Sequence, residues 1–513
     1  MKRLSFAKLA CIGVLFCGTA EITSHAQTLT TILSFDGSNG SDPVTLVQGL
    51  NGNFYGTTST GGIGCQSQYG AGCGTVFEIT PKGLNTIYKF CSQANCADGV
   101  QPNQLFLSPT GHFYGTTFAG GSYSGFCGAL EPGCGTVFEI APGGKFTTLY
   151  TFLCQSKCAD GTNPQAPPVL GINGNLYGTT LLGGANSSAC PYGCGTIFEI
   201  TPTGTLTTLH EFCTTESCSD GSQPRGLTLA ANGDFYGASI NNKETYGGTF
   251  FRISADGNYK NLYQFCEHTN CLDGAFPSSV VQGTDGNFYG TTLMGGSGNG
   301  GSGAGTFFRI TPRGELTTLY NFCSQTNCTD GWDPSPVILG TDGNFYGTTG
   351  QGGAYQNPSC SPSNGCGTIF KITPTGKLTT LYSFCAETNC PDGARPGALV
   401  QGTDGKLYGG TSSGGGSSNC FEGCGTLFRL SVGLKPFIES VPNFSKVGMV
   451  IGILGNGLTG TTSVTFNGTP AKFTVVSSTE IRTTVPKGAS TGFVEVTTPK
   501  KMLKSNVVFR VIE

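Results

Sequence analysis

The sequence predicts an all-β fold: a seven-bladed β-propeller closed by its N-terminal strand, followed by a small Ig-like β-sandwich. Three observations predict it. One phrase recurs along the chain, each copy carries four strand signals, and the strand missing from the last copy stands before the first.

The phrase is Asn-Gly-Asn-Phe-Tyr-Gly-Thr-Thr at 51–58. Its relatives place Tyr55, Tyr114, Tyr177, Tyr236, Tyr289, Tyr346 and Tyr408 at intervals of 53 to 63 residues. A fixed period of this length marks a repeat architecture. After each tyrosine comes Gly-Thr-x-Phe-x-Ile or a close variant, at 74–79, 135–140, 195–200, 248–253, 305–310, 367–372 and 425–430. After six of these comes a turn and a run such as Thr-Thr-Leu-Tyr-Thr-Phe at 147–152. Each unit thus reads as strand A, an Asn-Gly or Asp-Gly turn, strand B (Phe-Tyr-Gly-Thr-Thr), a longer loop, strand C (Gly-Thr-Val-Phe-Glu-Ile), a turn and strand D. Asn-Gly and Asp-Gly supply the positive φ angles of tight hairpins. Four antiparallel strands per unit are the count of a propeller blade.

The seventh unit ends at Leu430 without strand D, and Thr30-Thr31-Ile32-Leu33-Ser34-Phe35 matches that strand ahead of unit one. A ring profits from this offset because two sheet edges disappear. A linear β-solenoid, the alternative, does not. Residues 28–35 are therefore expected to pair with strand C at 425–430.

Residues 434–513 break the period. Strands are expected at 447–453, 462–466, 470–476, 480–485, 492–498 and 507–512, without cysteine or helical periodicity, as in an Ig-like sandwich. The domain reading is 1–26 signal peptide, 27–433 propeller and 434–513 sandwich.

Composition narrows the function. Net charge is −3 over 513 residues and charged residues are 11 %, so the basic stripe of a nucleic-acid binder is absent. The 83 glycines follow no Gly-X-Y period and sit at fixed places beside aromatic and β-branched residues, as turns between short strands do. Lys2, Arg3 and Lys8 precede an apolar stretch from Leu9 to Ala20, and Ser24-His25-Ala26 offers a cleavage site, with Ala20 as the alternative. The chain is expected to be exported, to the extracellular space, the cell surface or the periplasm. No later segment has the ~20 apolar residues of a membrane helix.

Of 24 cysteines, Cys11 and Cys17 fall in the leader, which leaves 22. They occupy two loop types in pairs. The D–A loops hold Cys91/Cys96, Cys154/Cys158, Cys213/Cys218, Cys266/Cys271, Cys323/Cys328 and Cys385/Cys390. The B–C loops hold Cys65/Cys73, Cys127/Cys134, Cys190/Cys194, Cys360/Cys366 and Cys420/Cys424. Units four and five lack both B–C cysteines, the loop 36–43 lacks both of its own, and no unit keeps one of a pair. Loss in pairs points to disulfides within loops. Zinc is the alternative for such spacing, disfavoured in an exported chain with few histidines. In the chain-entropy account each small loop contributes roughly 2 kcal/mol. The B–C and D–A loops share one face of the disc, so all predicted disulfides decorate that face.

Catalytic motifs are missing: there is no Gly-x-Ser-x-Gly, phosphate loop or His-Glu-x-x-His. His112, His210 and His268 come from different units without metal spacing. Asp98, Asp160, Asp220, Asp273, Asp330 and Asp392, with Asn39 in the first unit, precede glycine just before strand A. They either ring the channel mouth, where they could hold a structural cation, or cap a repeated turn. No other cofactor is expected. The C-strand series Glu78, Glu139, Glu199, Arg252, Arg309, Lys371 and Arg429 reads as a solvated perimeter, with Glu199–Arg252 and Glu78–Arg429 as candidate ion pairs between neighbouring units. The loop aromatics Tyr69, Tyr123, Phe126, Tyr192, Tyr246, Tyr355 and Phe421 either present flat apolar rings to a sugar or peptide or fold back into their own loops.

The phrase Asp285-Gly286-Asn287-Phe288-Tyr289-Gly290-Thr291-Thr292, followed by Gly-Thr-Phe-Phe-Arg-Ile, resembles the Gloeo/Verruco (GloVer) tandem repeat of exported bacterial proteins. The likeness spans nearly all of 28–431. It implies a secreted or surface protein of unestablished activity and brings no catalytic residues. The tail resembles an IPT/TIG domain through Pro436-Phe437-Ile438, Gly455-Asn456-Gly457, Val464-Thr465-Phe466-Asn467-Gly468, Val485-Pro486 and Val494-Glu495-Val496. That likeness implies an Ig-like spacer or interaction module.

Three functions follow as expectations. The first is a non-catalytic binding or adhesion scaffold whose disulfide face meets a glycan or protein. The second is a polysaccharide hydrolase or lyase using carboxylates at the channel mouth. The third is an envelope spacer. If the cysteines are bridged, the denatured exported chain takes up no iodoacetamide until a reductant is added. Labelled thiols in the unreduced chain, read by peptide mass spectrometry, would overturn the pairing.

Overall fold

The computed structural model describes residues 28–512 except 63–71, 122–126, 128–132, 155–157, 185–189, 191, 214–217, 242–246, 268, 299–302, 356 and 358–364. The leader and Tyr69, Tyr123, Phe126, Tyr246, His268, Cys65 and Cys360 lie outside the described residues. The fold is all-β and propeller-like. Among the described residues, seven antiparallel sheets repeat the order A-B-C-D. The first is Ser41–Gln48, Phe54–Thr60, Thr75–Thr80 and Gly83–Lys89. The seventh is Ala394–Gln401, Leu407–Ser413 and Thr426–Ser431, completed by Thr28–Ser34. That N-terminal strand runs antiparallel to 426–431, with Thr28 opposite Ser431 and Ser34 opposite Thr426, and the Phe35 amide donates to Gly425 O at 3.0 Å.

The repeated phrase has a steric cause. In each sheet the B-strand glycine lies opposite the C-strand phenylalanine, as in Gly56/Phe77, Gly178/Phe198 and Gly347/Phe370. A Cβ on any of the seven glycines (56, 115, 178, 237, 290, 347, 409) would fall 2.4 to 2.7 Å from the ring Cζ of that partner. The phenylalanine therefore occupies the place of the missing side chain. The next two residues serve hydrogen bonds. The second threonine, or Ser239 in the fourth sheet, bonds the C-strand threonine at 2.8 to 2.9 Å and accepts from its amide. The first threonine reaches the next sheet: Thr57 donates to Asn103 O, Thr116 to Ala166 O and Thr291 to Ser335 O. These three buried hydroxyls are thereby satisfied, whereas Thr179 Oγ1 in the third sheet finds no partner among the described residues.

Aromatic rings join the sheets. The phenylalanine after each D strand stands edge-on against the C-strand phenylalanine of the next sheet: Phe90/Phe138, Phe152/Phe198, Phe212/Phe251, Phe265/Phe308, Phe322/Phe370 and Phe384/Phe428. Phe35 makes the same contact with Phe77, so the N-terminal strand links the seventh sheet to the first. All seven pairs have centroids 5.2 to 5.5 Å apart and planes at 61° to 65°. The seventh and first sheets also meet through Tyr408 on Phe54, at 4.1 Å between centroids, and Gln48 Oε1 accepting from the Thr403 amide.

The C-terminal strands form two facing sheets. One is Glu439–Val441, Val450–Leu454, Glu480–Thr484 and Phe473–Val475; the other is Thr469–Pro470, Ser463–Phe466, Val494–Thr497 and Met502–Lys504. Ile451, Val464, Phe466, Ile481 and Phe509 lie in the core between them. Phe444–Lys446 pairs in parallel with Arg510–Ile512. The expected strands at 462–466, 480–485 and 492–498 are close to the observed ones. Those at 439–441, 444–446 and 502–504 were missed, because strands of three residues are too short to show an alternating pattern.

This sandwich packs on the A–B turns, at the end of the sheets opposite the disulfide loops. Phe437 N donates to Thr403 O, Thr479 Oγ1 to Leu50 O, Arg482 Nη1 to Pro109 O, and Arg510 Nη1 to Ala230 O and Ala231 O. The turns belong to the seventh, first, second and fourth sheets. Leu50 shares an apolar cluster with Val441 and Leu454.

Gly347→Ala is expected to destabilise the chain by about 1–3 kcal/mol, the usual cost of overpacking. Phe370→Leu in the same chain should recover part of it, since it removes the ring that the new methyl meets. Urea unfolding of both variants checks this; an unchanged midpoint for Gly347→Ala would refute the steric account.

Candidate functional site

The disulfide-bearing loops are built by local conformation. All twelve D–A cysteines have φ between 44° and 66°. Asn95, Asn270, Asn327 and Asn389, each just before a cysteine, are left-handed too, a conformation asparagine tolerates. Left-handed residues at both ends let four or five residues reverse the chain. The D–A bridges Cys91–Cys96, Cys154–Cys158, Cys213–Cys218, Cys266–Cys271, Cys323–Cys328 and Cys385–Cys390 are formed. So are the B–C bridges Cys127–Cys134, Cys190–Cys194 and Cys420–Cys424. Cys73 and Cys366 are also disulfide-bonded. Within a unit the two loops touch: the sulfurs of Cys73, Cys91 and Cys96 lie within 4.8 Å of one another, as do those of Cys366, Cys385 and Cys390.

The six loop aspartates hold these loops from inside. Asp98 accepts from Tyr88 Oη at 2.7 Å and from the amides of Ser92 and Gln93. Asp330 has the same partners in Tyr320, Ser324 and Gln325. Asp160, Asp273 and Asp392 accept from Tyr150, Tyr263 and Tyr382 and from the amides of Leu153, Cys266 and Cys385. Asp220 pairs with His210 Nε2 at 3.2 Å and with the Cys213 amide. Each carboxylate turns back into its own loop instead of toward a shared channel mouth. Among the described residues, groups of three or more possible metal-ligand atoms consist of cysteines alone. Burial of the hydroxyl, its hydrogen bond to Ser92 notwithstanding, pushes the Tyr88 pKa up to about 12.

The expected pairs Glu199–Arg252 and Glu78–Arg429 are absent among the described residues, because these side chains face their own A–B turn. Glu78 accepts from Tyr55 Oη and Asn53, and Glu199 from Tyr177 Oη and Asn175. Where the C strand carries a cation, the turn carries the acid: Arg252 meets Asp234 at 3.6 Å and Lys371 meets Asp342 at 2.8 Å. Glu139 takes Tyr114 Oη and His112 Nδ1, the latter at 2.5 Å.

A cleft of about 880 Å³ opens on the disulfide face between the seventh and first sheets. Its cause is the loop 36–43, the one D–A loop without cysteines. Asp36 shapes that loop by accepting from the amides of Ser38 and Asn39, and Asn419 Nδ2 donates across the seam to Asp36 O at 2.9 Å. The opposite wall is the Cys420–Cys424 loop, whose Phe421 is 93 % exposed. Arg395 and Glu422 form an ion pair at 2.9 Å along the cleft, and Asp42 accepts from Ser59 Oγ. Burial holds the Asp42 carboxyl above its ordinary pKa, against the opposing Ser59 hydrogen bond. Of the other described loop aromatics, Tyr192 is 49 % and Tyr355 43 % exposed, outside this cleft.

Asp42 and Arg395 were missed from sequence although a signal existed. Both precede the proline of a repeated Gly-x-x-Pro, where the remaining units carry Gln101, Asn163, Gln223, Phe276 and Asp333. All seven residues have φ between 54° and 59°. A position with one backbone geometry and changing chemistry is where a repeat can vary its surface.

The Gloeobacter/Verrucomicrobia repeat model matches residues 13–217, 71–301, 186–428 and 266–471 in overlapping stretches, and the IPT/TIG model matches 436–510. No curated protein sequence is detectably similar. Similar solved structures include the extracellular domain assigned to a hybrid two-component system, BT3049, of B. thetaiotaomicron. It has 12 % identity and a TM-score of 0.48, over 92 % of this chain and 53 % of that one. This chain thus spans about half the length of that domain. A luciferin-regenerating enzyme gives 12 % identity and a TM-score of 0.38, over 80 % of this chain and 97 % of its own. A puromycin hydrolase gives 14 % and 0.44, over 73 % and 50 %.

Two carboxylates should respond to pH with opposite signs. The pKa of Asp42 is raised on folding, so the charged form opposes folding and the penalty appears as pH rises through the folded value. Asp42→Asn should therefore stabilise at pH 7 and have no effect well below pH 4. For Asp342 burial is outweighed by hydrogen bonds from Lys371, Asn344 and Tyr346, which lower its pKa. Its contribution is present at neutral pH and is lost as pH falls through the folded value. Asp342→Asn should cost about 1 kcal/mol at pH 7 and nothing at low pH. Thermal melts at both pH values check both signs.

Proposed function

This chain belongs to the Gloeobacter/Verrucomicrobia repeat family, and from that membership we propose that it is an exported, disulfide-stapled binding scaffold of the cell surface. In this reading the seven sheets are the blades of a propeller closed by the N-terminal strand, spanning 27–433 after a signal peptide at 1–26. The IPT/TIG domain at 434–513 is the spacer that carries it. The ligand is a glycan, held on the disulfide face.

The observation that carries this reading is the cleft between the seventh and first sheets. Phe421 offers an almost fully exposed flat ring beside Asp36, Asp42, Arg395 and Glu422. A sugar presents C–H faces to such a ring and hydroxyls to such carboxylates, and shaped loops on a rigid frame are the usual place for binding. Heavy cross-linking by disulfides suits an oxidising compartment.

A second reading, polysaccharide cleavage, draws on the same cleft, because Asp36, Asp42 and Glu422 all line it and burial holds Asp42 toward its acid form. Against it, Glu422 is engaged by Arg395, and Asp36 is tied to its own loop. Purified 27–513 incubated with the glycans that it binds should release no reducing ends.

Binding of 27–513 to a glycan array tests the first reading. Phe421→Ala should weaken the binding about tenfold or more, the loss of roughly 1.4 kcal/mol. Equal binding by both proteins, or none by either, would overturn it. Closure has its own test. A chain lacking 28–35 exposes the edge of 426–431 and the face of Phe77 and should form aggregates in light scattering, whereas the intact chain stays monodisperse.

A further inference from the structure

The innermost strands do not pair evenly. In the first, second, fourth and seventh sheets the A–B register breaks between Pro43 and Leu46, Pro102 and Leu105, Pro224 and Leu227, and Pro396 and Leu399. In the other three the A strand is interrupted, as between Pro164 and Val169. Such breaks re-aim side chains. Here they deliver Gln104, Gln165, Arg225, Ser278 and Ser279 to a cavity of about 310 Å³. The framework positions repeat from unit to unit, but the residues in these breaks do not.

Among the described residues lining this cavity, Arg225 is the charged one. Its Nε is buried without a hydrogen-bond partner, and so is Gln165 Oε1 from the adjoining sheet. The two breaks abut: a Cβ on Gly226, the residue after Arg225, would lie 3.0 Å from the Ala166 methyl, the residue after Gln165. Burial lowers the Arg225 pKa, the mark of a guanidinium short of compensating charge. A guanidinium stays protonated in proteins, so an anion seated in the cavity would supply the missing charge. The orphan donor on Arg225 calls for a carboxylate, and the orphan acceptor on Gln165 calls for a hydroxyl. Hydroxyls of Thr228, Ser278 and Ser279 and the apolar Pro167 and Leu227 complete a lining at the small end of ligand-site sizes.

We propose that this inner cavity is a binding site for a small hydroxylated carboxylate of monosaccharide size. The carboxylate pairs with Arg225, and a hydroxyl donates to Gln165 Oε1. The site is separate from the cleft that carries Phe421 and does not depend on it.

Isothermal titration of the full 27–513 chain with D-glucuronate and with D-glucose tests the site. Glucuronate should bind at least tenfold tighter than glucose. Arg225→Gln should abolish glucuronate binding, Arg225→Lys should weaken it while keeping the charge, and Phe421→Ala should leave it unchanged. Melting curves of the Arg225 variants show whether each is folded. If one is not, Gln165→Leu, which removes the acceptor alone, should still weaken glucuronate. No binding of glucuronate at millimolar concentration, equal binding of glucose, or full binding by folded Arg225→Gln would each overturn the proposal.

Discussion

The fold depends on a phenylalanine ring lying over a glycine. In every sheet the C-strand ring fills the space that a B-strand side chain would take, and the same ring receives the edge of the phenylalanine from the preceding sheet. One residue thus carries both the packing within a sheet and the contact between sheets. Each edge-on pair adds about 1 kcal/mol beyond its buried area. The contact recurs seven times with nearly constant geometry, and the pair Phe35/Phe77 joins sequence-distant ends.

A frame built this way leaves the loops free of structural duty. The D–A loops need only return the chain, and they do so with two left-handed cysteines, a bridge and an inward aspartate. The opposite end of the sheets is occupied by the C-terminal sandwich, whose contacts reach the turns of four sheets. The cleft and the inner cavity both arise where the repeat departs from itself: one at the loop without cysteines, the other where the residues within the inner-strand breaks change from unit to unit. Such irregularities are where a repeat array is free to vary, since the regular positions are committed to packing.

The C-strand series shows how this commitment works. Sequence comparison within the chain revealed the change from glutamate to arginine or lysine after the third unit, but assigned its partner to the neighbouring sheet. The structure puts the partner in the same unit: Asn51 and Asn173 of the early turns meet Glu78 and Glu199, Asp234 at the position of Asn53 meets Arg252, and Asp342 at the position of Asn51 meets Lys371.

The seven units, their four strands, the paired cysteines and the tail's Ig-like character were legible in the sequence because each is set by local chemistry repeated many times. Turn glycines, strand alternation and cysteines lost in pairs are visible without knowing what lies across the fold. The direction of Asp98 and its relatives, the exposure of Phe421, the orphaned Nε of Arg225 and the seat of the sandwich were decided by the tertiary structure alone. Each depends on which residues distant in sequence surround a side chain, and burial and hydrogen-bond partners are properties of that surrounding. The N-terminal strand stands on the legible side of this division: the D strand missing from the last unit pointed to 425–430, and Thr28–Ser34 pairs with Thr426–Ser431, because strand pattern and repeat count are both local to the sequence.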